Sequence, residues 1–200
     1  MASDVYQNVL VGTVSTNSFN SFFYLQNGKV TVIDPPSREN FEEKEYNLSI
    51  HSVLVSSKEE DVWPEFRFRL KNRPLLVMPH GGPHGSFAHA FSCFRYMALK
   101  MGYYLLHPNF SGSASYGKAH LEGSLGKVGE KDAEEIIEVV KKVLEDHPNI
   151  DKSKVHTQGG SYGGFMSAIF AARNADIFKS AIILNGVIDL IANMWFSDIP

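Results

Sequence analysis

Thr157-Gln158-Gly159-Gly160-Ser161-Tyr162-Gly163-Gly164 holds a G-x-S-x-G pattern at Gly159, Ser161 and Gly163. Alone, that pattern is common; its setting decides the reading. Lys154 to Gln158 reads as a strand, and Tyr162 to Arg173, rich in small and apolar residues, reads as a helix. A serine at such a junction sits in a tight, strained turn. Its neighbours must be glycines because side chains there would strike the strand or the helix. The turn lifts Oγ above the sheet and toward the positive end of the following helix. Ser161 is therefore the candidate nucleophile, and the Tyr162 N–H is a candidate oxyanion donor. The plainer alternative is a close-packed turn in which Ser161 merely caps a helix.

Upstream, His80-Gly81-Gly82-Pro83-His84-Gly85 follows the apolar run Leu75-Leu76-Val77-Met78 and precedes a helical pattern. A glycine-rich turn in that place can offer the N–H of Gly81 or Gly82 as a second oxyanion donor. An ordinary Gly-Gly-Pro turn is the alternative. The order of the two turns along the chain is the order a hydrolase sheet requires.

Further outward, the pattern alternates between strand and helix. Tyr103-Tyr104-Leu105-Leu106 and Ala181-Ile182-Ile183-Leu184 are continuous apolar runs, as strands buried on both faces should be. Ser49 to Val55 alternates like a half-exposed antiparallel strand. Phe87, Phe91, Phe94, Ala98 and Met101 recur at steps of four and three, which predicts one helix face carrying a buried Cys93 and stopped by Gly102. Residues 130–147 give the clearest helix, with Ile136, Val140, Val143 and Leu144 as its apolar stripe, Glu138 and Lys142 on the wet side, and Pro148 ending it. Its acidic residues, Glu130 to Glu145, read as a solvated face. The alternation predicts an α/β fold with a mostly parallel, doubly wound sheet.

Before residue 45 the chain reads differently. Val9-Leu10-Val11, Phe22-Phe23-Tyr24-Leu25 and Val30-Thr31-Val32-Ile33 are strands, with Asn27-Gly28 as a hairpin signal. Arg38 to Glu45 is charged and reads as a linker. The expected division is a β-rich unit over 1–44 and an α/β unit over 45–200.

Composition narrows the class. The chain has 200 residues, 44% hydrophobic and 20% charged, with net charge −3. That balance suits a globular protein and gives no basic field for nucleic acid or an anionic membrane. No signal-like start and no membrane-length apolar run are present, and one cysteine forms no internal disulfide. A cytoplasmic protein is expected, with no metal: His80 and His84 are four apart, but Gly81-Gly82-Pro83 prevents the helix that would align them.

Three motifs together carry a resemblance: Pro79-His80-Gly81-Gly82-Pro83-His84, Asn109-Phe110-Ser111-Gly112-Ser113-Ala114-Ser115-Tyr116-Gly117, and Gly159-Gly160-Ser161-Tyr162-Gly163-Gly164. Over about residues 46–200 the chain resembles the catalytic α/β-hydrolase domain of the prolyl oligopeptidase family, most nearly its acylaminoacyl-peptidase branch, to which the ending Ser197-Asp198-Ile199-Pro200 is also similar. The resemblance implies hydrolysis of N-acylated residues from peptide N-termini, without cofactor or metal. It implies Ser161 as nucleophile and Tyr162 with Gly81 or Gly82 as oxyanion hole. It also makes residues 1–44 the remnant of a β-propeller. The expected partner is an acylated peptide, with a second copy of the chain left open and nucleic acid and membrane excluded. The family pattern usually has arginine at Ser111 and glycine at Ser115. The strand before the elbow also carries polar His156, Thr157 and Gln158, and buried polar groups need partners.

The triad of this fold runs Ser, Asp or Glu, then His. All eight histidines precede Ser161, and the aspartates after it are Asp176, Asp189 and Asp198. The triad Asp and His are thus expected to be absent, the domain truncated, and the chain inactive alone, because an unassisted serine is a poor nucleophile. His80 and His84 are expected to brace the turn, with rescue of Ser161 the alternative, and His107 to serve local structure. A carboxylesterase-like hydrolase and a non-catalytic interaction module are the competing functions.

Overall fold

The elbow belongs to a six-stranded mixed sheet. The structure, a computed structural model, describes residues 2–6, 9–15, 20–26, 29–33, 41–47, 51–67, 70–87 and 92–197, with backbone alone for those before residue 48. Strands β1 (Ala2–Tyr6), β2 (Val9–Ser15), β3 (Asn20–Gln26) and β4 (Lys29–Ile33) form an antiparallel sheet in sequence order. Gln26 pairs with Lys29 across the β3–β4 connection, and the Asn27-Gly28 signal between them lies outside the described residues.

The larger sheet contains β5 (Phe41–Asn47), β6 (His51–Ser57), β7 (Arg73–Val77), β8 (Tyr104–Asn109), β9 (Ile150–Gly160) and β10 (Phe178–Leu184). Their spatial order is β10-β9-β7-β8-β6-β5. The first four run parallel; β6 is antiparallel to β8, and β5 to β6. A mostly parallel sheet is therefore present, as expected. The linker reading is corrected at its end, since Phe41–Asn47 is a strand paired along its whole length with β6. The charged run Glu42 to Glu45 suits an edge strand, where charged residues discourage further pairing.

Helices cover both faces. On one face, α4 (Lys131–Asp146) and α5 (Tyr162–Arg173) enclose Leu75, Val77, Leu106, Ile136, Val140, Val143, Met166 and Phe170, all fully buried. The predicted α4 stripe is the buried one. On the other face, α2 (Cys93–Lys100) packs Ala98 and Leu99 onto Leu76 and Leu105. Gly102 at φ 87 closes α2: its N–H reaches the Leu99 carbonyl and the Tyr103 N–H reaches that of Ala98. This paired return is the left-handed glycine cap that satisfies two orphan carbonyls.

Several expectations about burial fail. Phe87 precedes α2 rather than lying on it, Phe91 lies outside the described residues, and Phe94 is exposed along with Cys93. Beginning the helix at Cys93 turns the Ala98–Leu99 side inward and that cysteine outward. Strand β6 is not half-exposed: Ser52, Ser56 and Ser57 are buried along with Val53 and Leu54, and Ser57 Oγ–H donates to the Leu99 carbonyl of α2. Strand β10 is the reverse: Ile182, Ile183 and Leu184 are half exposed, since among the described residues nothing pairs beyond it. Short helices α1 (Pro64–Arg67), α3 (Lys118–Leu121) and α6 (Leu190–Phe196) complete the chain. Among the described residues no helix is long and apolar enough to cross a membrane.

Candidate active site

Ser161 stands between β9 and α5 with φ 54 and ψ −122, a conformation L residues rarely adopt. Such strain survives only when the surroundings over-determine it. Here the Ser161 N–H donates to the Leu184 carbonyl at 3.0 Å, and its own carbonyl accepts from Gly164 and Phe165 at 2.9 and 3.1 Å. The glycines are required sterically. A Cβ on Gly159 would lie 2.1 Å from the Gly163 oxygen, and one on Gly163 would lie 2.2 Å from the Pro79 oxygen. Tyr162 opens α5, so its N–H is one of the first-turn donors with no intrahelical acceptor.

The glycine turn after β7 lies against this elbow. A Cβ on Gly81 would come within 3.2 Å of the Gly160 oxygen and 3.4 Å of the Ser161 Cβ. Gly82, at φ 54, starts a tight turn whose carbonyl accepts the Gly85 N–H at 2.7 Å. The two predicted elements are thus brought together, with Gly81 at the contact and Gly82 one residue farther along.

A second layer holds the turn. His80 Nε2 and Ser113 Oγ are 2.7 Å apart, and the ring stacks on Phe110 at 4.4 Å. His80 Nδ1 faces the Gly81 carbonyl at 3.1 Å, so it carries the proton and Nε2 accepts from Ser113. Burial holds the His80 pKa below its usual value. His84 Nδ1 donates to the Gly112 carbonyl at 3.2 Å, and the Ala114 N–H donates to Gly85 at 3.0 Å. Both histidines brace the turn; among the described residues neither bonds Ser161.

The departures from the family pattern fare differently: Ser111 is accommodated and Ser115 is strained. Ser111 gives both its N–H and its Oγ–H to the Glu135 carboxylate, at 2.8 and 2.7 Å. Ser115 adopts φ 77, where a glycine would rest without strain. Thr157 Oγ1 pairs with Ser167 Oγ at 2.9 Å, and His156 Nδ1 with Ser180 Oγ at 2.9 Å. The polar strand is therefore mostly satisfied.

Asp132 and Glu135 correct the reading of α4 as a solvated acidic face. Both are buried. Asp132 accepts the Gly129 and Ala133 N–H groups at 2.8 and 2.9 Å, and it also accepts the Tyr162 hydroxyl. Desolvation raises the Asp132 pKa, with those hydrogen bonds opposing it. Spacing gives a signal for the pair: residues three and four apart share a helix face, and Ile136, four after Asp132, marks that face as inward. Lys142, in turn, bonds Asp146 at 2.9 Å rather than Glu138. Of the late aspartates, Asp189 caps α6 by accepting the Ala192 N–H at 2.8 Å. Asp176 is exposed between α5 and β10, and Asp198 lies outside the described residues.

Comparison with known proteins agrees with this geometry. The chain is 36% identical over 166 residues to the mouse acylamino-acid-releasing enzyme, covering 83% of this chain and 21% of that protein. It is 35% identical over 127 residues to the human one, covering 64% and 17%. The chain thus spans about a fifth of these relatives' length. Among solved structures, a Pyrococcus horikoshii acylaminoacyl peptidase superposes with TM-score 0.74 at 22% identity, over 97% of this chain and 32% of that one. A Mycobacterium tuberculosis puromycin-hydrolyzing peptidase superposes with TM-score 0.75 at 22% identity, over 92% and 30%. These likenesses make the larger sheet that of an α/β-hydrolase fold. The sequence profile of the prolyl oligopeptidase family matches residues 89–200, more than half of the chain, and the protein belongs to that family.

Proposed function

We propose that the chain is the nucleophile-bearing part of a serine peptidase that removes N-acylated residues from the N-termini of peptides. The observation that carries this reading is Ser161, strained at the β9–α5 junction with the Gly81 turn packed against it. In the proposed reaction Ser161 Oγ attacks the scissile carbonyl. The Tyr162 N–H and a backbone N–H from Gly81 or Gly82 receive the oxyanion. Removing one such donor typically costs about 3 kcal/mol of transition-state stabilisation. The substrate class follows the names of the relatives, acylamino-acid-releasing enzymes.

The triad Asp and His are proposed to come from outside these 200 residues, because no histidine follows Ser161. In this reading the chain alone does not turn over peptide. The expected propeller remnant over 1–44 is kept only as far as the end of β4, because β5 from Phe41 belongs to the larger sheet; the four strands β1 to β4, antiparallel and in sequence order, have the make-up of one blade.

A fluorophosphonate probe tests the nucleophile, with Ser161→Ala as control. Absence of labelling in the folded 200-residue chain is expected, with labelling restored when the acid and base are supplied by a longer chain. Labelling of the short chain that disappears in Ser161→Ala would instead give an upstream histidine the role of base. Acyl-peptides and simple esters offered to the longer chain decide the substrate. Ester turnover without release of acyl-amino acids would overturn the peptidase reading.

A further inference from the structure

A cavity of about 430 Å³ adjoins the elbow. Its walls are the glycine turn (Pro79, His80), the end of β9 (Gln158, Gly160) and the first turn of α2 (Ser92, Arg95). Gly160 directly precedes Ser161, so the cavity opens beside the strained turn.

Arg95 is the permanent charge in this lining, which contains no carboxylate. Among the described residues Arg95 has no ion-pair partner, and the neighbouring stretch Ala88-His89-Ala90-Phe91 contains no acid. The guanidinium is held by stacking instead. It lies 4.9 Å above the Phe87 ring, which in turn stacks on His107 at 3.9 Å and 7°. The Phe87 N–H is fixed by Asn109 Oδ1 at 2.6 Å. Arg95 is partly desolvated, and burial pulls its pKa downward. A stacked, partly dehydrated guanidinium keeps its donor edge free, and that fork matches a carboxylate through two parallel hydrogen bonds.

We propose that this cavity is a subsite for a substrate carboxylate, held by Arg95 beside Ser161, so that acidic peptides are the preferred class. The link to Ser161 rests on the hydrolase reading above. Two sources share this chemistry: an aspartate or glutamate side chain, and the free C-terminus of a short peptide.

The test is binding by NMR titration or calorimetry on the 200-residue chain. The probes are N-acetylglutamate α-methylamide with its glutamine counterpart, and N-acetyl-diglycine with its C-terminal amide. One carboxylate probe is expected to bind about tenfold or more tighter than its neutral partner, as a charge-assisted pair should. Preference within the first couple assigns the side chain, and within the second the C-terminus. Arg95→Met should abolish the advantage, and Arg95→Lys should keep only part of it, because the charge remains without the fork. Equal binding of acids and amides, including none by either, would overturn the subsite, and so would an advantage that survives in Arg95→Met. The comparison on the unaltered chain stands even if a variant misfolds. Binding is read without turnover, so a Ser161 that stays unlabelled even in the longer chain defeats the hydrolase reading while leaving this result standing.

Discussion

The phenol of Tyr162 donates to the buried carboxylate of Asp132, thirty residues earlier in the chain. Tyr162 is also the residue after Ser161, so one hydrogen bond ties the start of α5 to the start of α4. The rings of Phe110 and Phe165 flank Tyr162, with centroids 6.0 and 5.5 Å away. Its side chain is thereby clamped while its backbone N–H stays at the helix end.

Tyr162→Phe leaves Asp132 buried with one donor fewer. The expected loss is about 1–3 kcal/mol in urea unfolding, the range for a buried acceptor deprived of a partner. Asp132→Asn should couple to it, so that the double variant loses less than the sum.

The same carboxyl sets a pH dependence. Its folded pKa is raised above the usual 3.8, so the folded state holds the proton more tightly than the unfolded one. Its contribution is fully present below that value and is lost as pH rises through the folded pKa. Urea midpoints of wild type and Asp132→Asn, compared from acid pH upward, should therefore diverge, with the wild type losing stability relative to the variant as pH increases. A constant difference would contradict this.

Gly163→Ala places a methyl 2.2 Å from the Pro79 carbonyl oxygen, which is backbone and cannot step aside. A loss above about 3 kcal/mol is expected, as for other severe packing clashes. Circular dichroism melting should show it as a sharp fall in Tm.

Ser111→Ala removes the Oγ donor to Glu135 and keeps the N–H donor. Hydrogen bonds to charged groups contribute about 1.5–3 kcal/mol, so a loss in that range is expected in urea unfolding.

Ser115→Gly acts in the other direction. At φ 77 a serine is strained, and relief of a left-handed conformation is worth about 1–2 kcal/mol before glycine's greater unfolded-state entropy is subtracted. A net gain of about 0.5–1 kcal/mol is expected, measured as a higher urea midpoint.

Local patterns were legible in the sequence because their causes are local. Gly159 announces the elbow because a contact within the turn excludes its Cβ, whereas the Cβ of Gly163 is excluded by the Pro79 carbonyl of the upstream turn. The α4 stripe follows from helix periodicity, and the α2 stop from the one residue, Gly102, that takes positive φ without strain. The apolar runs of β7 and β8 announce strands covered on both sides. What only the tertiary structure decided lies between distant residues. Phe41–Asn47 became a strand because β6 offered it a free edge, whereas its charge alone resembled a linker. Asp132 and Glu135 differ from their solvated neighbours by their burial and by partners 24 to 30 residues away, Ser111 and Tyr162. Arg95 gained its place beside the elbow because β7, β9 and α2 converge there. Helical and strand periods are written in consecutive residues. The partner of a buried charge is chosen by packing across the sheet, which sequence separation conceals.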